Sequence, residues 1–235
     1  MRKPLIPFPV LSSLGHSFND LYFVALPMTL PSILREFSLS YRMAGLILAT
    51  FLGIIAVFSF LFGRLSDRFS PWIVIGGGFL LASASFLGGG AAGSLPVLLA
   101  LLVTGAVGTS SFHPVAYALI DSLAGERRGR MLGIFELWGG FAILAMYVLG
   151  GLVLQRLGWQ GVLILIGIPG LVLGPLYLSR ATPAGGKLPE AAQPRSPQKP
   201  AVGKGRLAPI LIFFLASCVL RFLSSTAVVN FLPTY

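Results

Sequence analysis

The sequence predicts an all-α, polytopic transmembrane helical bundle, and three observations carry that prediction. The 235 residues are 55% hydrophobic and only 10% charged, with a mean hydropathy of +0.88, outside the range of soluble domains. The apolar residues form continuous runs long enough for helices of about 20 residues, not the alternating segments of about 10 that make barrel strands. Short charged or turn-rich breaks separate the runs, most sharply at Gly63-Arg64-Leu65-Ser66-Asp67-Arg68-Phe69-Ser70-Pro71.

Seven spans are expected in order: 10 to 34, 43 to 63, 72 to 92, 95 to 120, 131 to 154, 159 to 179 and 208 to 232. The start, Met1-Arg2-Lys3, imitates the basic end of a signal peptide, yet Pro4, Pro7, Pro9, His16, Asn19 and Asp20 interrupt the apolar run after it. It is expected to be an uncleaved first span. Residues 180 to 207 are rich in Pro, Gly, Ala and Lys with few large apolar side chains, the composition of an unfolded linker. The expected organisation is a six-helix bundle over 1–179, a cytoplasmic linker over 180–207 and a seventh helix over 208–235.

The formal charge of +10 comes from 17 Lys and Arg scattered singly between apolar runs. No basic face forms, so nucleic acid is not an expected partner and the lipid bilayer is. Thirteen of the 17 fall on one side: the N-terminus, the loops after spans two and four, and the linker. The positive-inside rule makes that side cytoplasmic, with the N-terminus, and places the chain in the inner membrane. The single cysteine, Cys218, excludes an intramolecular disulfide. Spans one to three and four to six form two triplets before a long linker, an arrangement that suggests half of a transporter.

The motif Gly63, Leu65, Ser66, Asp67, Arg68 and Phe69 after span two resembles the loop signature of the major facilitator superfamily. Glu126-Arg127-Arg128-Gly129 after span four, Gly158-Trp159 opening span six and the basic linker support the likeness. Gly15-His16-Ser17-Phe18-Asn19-Asp20-Leu21-Tyr22 and Ser110-Ser111-Phe112-His113-Pro114 are similar to its fosmidomycin-resistance-like branch. The resemblance implies a six-helix N-terminal half plus one helix of a major-facilitator-like fold, whose members have twelve helices. It implies secondary active transport of a small organic solute or drug by alternating access, with proton-coupled efflux as the coupling to test. A truncated fragment, or a half-transporter subunit needing a missing second half, is the alternative.

Ionisable residues inside a bilayer are costly and need a purpose. His16, His113 and Glu136 each lie about 9 Å inside the cytoplasmic ends of their spans at 1.5 Å per residue, and so are expected level with one another. Asp20 stands one turn beyond His16 on the same face, beside Asn19. The resemblance implies that these groups face a central cavity as a substrate or proton pathway, with Glu136 supplying an acid that the branch carries where Val115 stands. Imidazoles titrate near neutral pH, which suits proton transfer. Arg221, alone in span seven, offers a fork for an anionic substrate group. The resemblance implies that Gly63, Asp67, Arg68, Arg127 and Arg128 form a cytoplasmic conformational latch. Two histidines without further His or Cys make a metal site improbable. No nucleotide motif or catalytic constellation points to a cofactor or an enzyme. Gly76-Gly77-Gly78 and Gly88-Gly89-Gly90 are expected to let helices approach closely.

Overall fold

The computed structural model describes residues 6–181 and, singly, Pro209, Ile212 and Ala216. The expected linker beyond Ala181 and, apart from those three residues, the seventh span, with Arg221 and Cys218, lie outside the described residues. Among the described residues the secondary structure is helical without strands. The helices are α1 (Phe8–Glu36), α2 (Tyr41–Ser66), α3 (Pro71–Gly90), α4 (Leu95–Ser110), α5 (Phe112–Ala124), α6 (Arg128–Ala145) and α7 (Gly151–Leu178).

Sequence punctuation explains most of the boundaries. Prolines stand in the first turn of α1, α3 and α4, where the missing N–H has no intrahelical role. Ser40 caps α2 by accepting from the Met43 N–H at 3.4 Å. The charged motif at 63–71 is not all loop. Gly63, Arg64 and Leu65 continue α2, and the turn is confined to residues 67–70. The α2 ladder ends locally, with the Ser66 hydroxyl donating to the Gly63 carbonyl at 2.7 Å, and Pro71 then opens α3.

The fourth span is α4 and α5 in series. Pro114 lacks an N–H and its ring crowds the carbonyl four residues back, which is that of Ser110, where the break falls. The released carbonyl accepts from the Ser59 hydroxyl of α2 at 3.2 Å. A neighbouring helix thereby repairs the kink, as a bilayer interior requires. Span five runs through α6, one wide turn at Met146–Gly150 and the start of α7. Gly158 then breaks the helix at φ 68°, a left-handed conformation suited to glycine, so span six is the part of α7 from Trp159 onward. Trp159 is buried and its indole N–H donates to Glu36 Oε2 at 2.6 Å, tying the end of α1 to the start of that span.

Among the described residues three stretches are long and apolar enough to cross a membrane: Tyr41–Ser66, Pro71–Gly90 and the interrupted run Leu95–Leu178. The first helix, α1, is less apolar because Ser12, Ser13, His16, Ser17 and Asn19 are buried along it. The helix with the weakest lipid character therefore carries the polar interior. Span six packs most closely on α3, where added side chains at Gly76 or Gly90 would strike backbone oxygens of Gly174 or Gln160 at 2.9 and 2.6 Å. Gly76, Gly78 and Gly90 fulfil the expected close approach, whereas Gly77 faces open space.

Candidate functional site

Three helices meet around one carboxylate. Asp20 of α1 has a histidine Nε2 at 3.3 Å from each oxygen: His16 at Oδ2 and His113 at Oδ1. His16 reaches it because positions four apart share a helix face; His113 arrives from the first turn of α5, just past the break before Phe112. The cluster is largely shielded, with side-chain exposures of 4% for His16, 14% for Asp20 and 28% for His113.

The outer ring nitrogens fix the tautomers. His16 Nδ1 lies 2.7 Å from the carbonyl of Phe135, which only accepts, so Nδ1 carries a proton. His113 Nδ1 lies 3.2 Å from Asn19 Nδ2, an amide donor, so Nδ1 accepts and the proton sits on Nε2. His113 therefore donates to Asp20. His16, with Nδ1 turned to the Phe135 carbonyl, presents Nε2 to the other oxygen of Asp20 at 3.3 Å, a contact that is an ion pair only when the imidazole is protonated.

Aromatic rings pack around the cluster. Phe135 stacks on His16 with centroids 3.9 Å apart, and Phe23 meets His113 edge-on at 5.7 Å. Gly139, one turn beyond Phe135, lets α6 approach: a Cβ there would fall 2.6 Å from His16 Cε1 and 2.8 Å from Asp20 Oδ2. Gly139→Ala is thus expected to push His16 off the Phe135 carbonyl. The expected result is a protein less stable by about 1 to 3 kcal/mol, seen as a lower unfolding midpoint in detergent, with its site geometry disturbed.

His16, Asn19, Asp20 and His113 come together, but Glu136 does not join them. It follows Phe135, whose carbonyl meets His16, and so stands near the expected depth, but successive helical residues point about 100° apart. Phe135 takes the direction toward α1, and Glu136 turns toward α5. There it accepts from the Tyr117 hydroxyl at 2.5 Å, one turn from His113 toward the end of α5. Val115, the position of the branch's acid, is fully buried. Sequence reasoning misses Tyr117, Phe135 and Gly139. Tyr117 stands four residues after His113, and that spacing is the signal that could have found it.

The latch residues are arranged differently from the expectation. Arg128 Nε pairs with Asp121 Oδ1 at 2.7 Å, both side chains more than half exposed. Among the described residues no ion pair joins Asp67 or Arg68 to Arg127 or Arg128. The tight turn Gly125–Arg127 folds Arg128 back onto its sequence neighbour, so the local partner prevails over the distant one. Gly63 lies inside α2 beside the Pro114 kink.

His16, Asp20 and His113 also offer three ligand atoms within 4.8 Å of one another. The His113 tautomer directs a proton rather than a lone pair into that space, so the hydrogen-bond network fits a proton better than a metal ion.

The family model described as Major Facilitator Superfamily matches residues 12–235. The chain belongs to that superfamily. Among curated relatives of this major facilitator protein, the chloramphenicol resistance protein of Pseudomonas aeruginosa is 31% identical over 168 residues, 70% of this chain and 38% of that protein. The fosmidomycin resistance protein of Escherichia coli (strain K12) is 33% identical over 132 residues, 55% of this chain and 32% of that protein. The fold is similar to a crystal structure of a bacterial homolog to the human lysosomal transporter Spinster, inward-facing and unoccupied. That similarity has a TM-score of 0.72 at 18% identity, covering 96% of this chain and 54% of that one. The matched stretches thus span about a third to a half of these proteins' own lengths. The superfamily is one of transporters rather than enzymes, and this member is a multi-pass membrane protein.

Proposed function

We propose that this chain forms the coupling half of a secondary active transporter that exports a small organic solute or drug across the inner membrane by alternating access, driven by protons. One observation carries the reading: two imidazoles meet one largely buried carboxylate, His16 at one oxygen and His113 at the other. On this reading the cluster carries a labile proton between His16 and Asp20. Its release sets a lone pair against a carboxylate, so the tie within α1 is lost while the one between α1 and α5 remains. A proton gradient can thereby bias two arrangements of the helices lining the cavity, as alternating access requires. Resistance proteins among the relatives support efflux of drug-like solutes over a non-transporting membrane module.

The basic loops support a cytoplasmic N-terminus. The exposed Asp67, Arg68 and Arg127 are available on that side to a latch involving further helices, and Arg128 would have to exchange its Asp121 partner to join it.

The test is flux in proteoliposomes under an imposed pH gradient, against a panel of drug-like solutes. Movement of at least one solute against its gradient, abolished by a protonophore, is the expected result. Flux indifferent to the pH gradient overturns proton coupling, and no flux of any solute overturns transport by this chain.

A further inference from the structure

The two imidazoles that meet Asp20 have opposite surroundings at their outer nitrogens. His16 Nδ1 lies 2.7 Å from the Phe135 carbonyl. That acceptor suits a ring with protons on both nitrogens, Nδ1–H donating to Phe135 and Nε2–H to Asp20 Oδ2. His113 Nδ1 instead lies 3.2 Å from Asn19 Nδ2, which only donates. A second proton on His113 would set one N–H against another. The two rings stand edge-on with centroids 5.0 Å apart, so positive charge on both at once meets repulsion in this shielded place.

The helix that carries the carboxylate also carries the amide. Asn19 is 1% exposed and directly precedes Asp20, and the two residues grip both nitrogens of His113, the amide at Nδ1 and the carboxylate at Nε2. Turning the amide over would bring its oxygen against the Nδ1 lone pair, so the amide orientation and a neutral ring support each other. Among the described residues, the titratable group of α5 beside His113 is Tyr117, with ring centroids 6.2 Å apart, and its hydroxyl donates to Glu136 of α6. Phe23, Phe112 and Phe135, the other rings packed against the imidazoles, carry no charge.

Resting on the proton-coupled reading of this cluster, we infer that Asn19 is a positioning residue that confines the mobile proton to the His16 side of Asp20. It does so by keeping His113 neutral, with its single proton on Nε2. His113 then donates to Asp20 whether or not the mobile proton is present and holds α1 to α5 in both states. Only the His16 contact changes.

The experiment is solid-state NMR of the full chain, with isotopically labelled histidine nitrogens, in phosphatidylcholine liposomes between about pH 5 and 8. The chain has two histidines, and each ring is assigned through the labelled carbonyl carbon of the residue before it, Gly15 or Phe112. The wild type is expected to show imidazolium at His16 on acidification, while His113 keeps a bare Nδ1 and a protonated Nε2. Asn19→Asp, nearly isosteric, puts an acceptor where the donor stands. It is expected to bring the imidazolium signal to His113 and to reduce flux driven by a pH gradient severalfold. Asn19→Leu, with neither donor nor charge, is expected to show imidazolium at either ring. Monodisperse elution of each variant establishes folding. A purely structural Asn19 would lower the unfolding midpoint of both variants and leave the signal on His16. Imidazolium at His113 in the wild type, or a His113 that stays neutral in N19D, overturns the inference. Either result leaves proton-driven flux standing, whereas the expected wild-type spectrum without flux would instead defeat the transport reading.

Discussion

Asp20→Asn is expected to abolish proton-driven flux while leaving the bundle folded. The substitution keeps the shape of the side chain and satisfies both histidines at once. Its Oδ1 accepts from His113 Nε2–H as the carboxylate does, and its amide donates to the lone pair of His16 Nε2, the two contacts now at 3.3 Å. The network is then complete with no labile proton. The state that proton release would break is permanently stable, so release can no longer loosen the tie within α1. A fall of at least about 100-fold in flux driven by a pH gradient is expected, equivalent to about 2.7 kcal/mol on the limiting barrier. The unfolding midpoint should stay the same or rise, because a buried charge has been removed without orphaning a partner. Proteoliposome flux and thermal unfolding on the same preparation check both halves of this expectation. Retained accumulation in D20N would show that coupling resides elsewhere.

The contrast between Asp20 and Glu136 explains how far the sequence could be followed. The helical spans were legible because apolar runs and prolines report backbone behaviour directly. The pairing of His16 with Asp20 was legible because both lie on one helix at a spacing of four. Meeting His113 required only depth along a helix, a one-dimensional quantity that the topology supplies. Glu136 needed rotation about α6 as well, and its neighbour Phe135 took the place against α1. The Arg128 to Asp121 pair depended on a three-residue turn at 125–127 whose geometry composition alone does not fix. Gly139 was invisible for a different reason: α6 has many glycines, and only the position of α1 distinguishes this one from Gly140, which faces open space.

The largest structural effect expected of a single methyl group falls at the crossing of α3 with α4. A Cβ on Gly108 would lie 2.5 Å from Ala82 N, 2.7 Å from Gly78 O and 3.0 Å from Ala82 Cα. All three are backbone atoms of a helix, which cannot move aside as a flexible side chain can. Gly108→Ala must therefore separate α3 from α4 or tilt one against the other. Either response opens packing around Ala106 and Phe86, both essentially inaccessible. The disturbance reaches the site as well, because Ser111 bonds the Gly108 carbonyl at 2.8 Å immediately before Phe112 and His113. A loss of about 3 kcal/mol or more is expected, at the upper end for overpacking a rigid contact. Gly77→Ala is the control. It adds the same methyl to the neighbouring helix where nothing lies within 4 Å, and it relieves the conformational freedom of glycine, so stability should hold or rise slightly. Unfolding midpoints of the two variants in detergent separate the explanations. If G108A and G77A fall together, lowered glycine content is responsible; if G108A alone falls, the close backbone contact between α3 and α4 is what the added methyl disrupts.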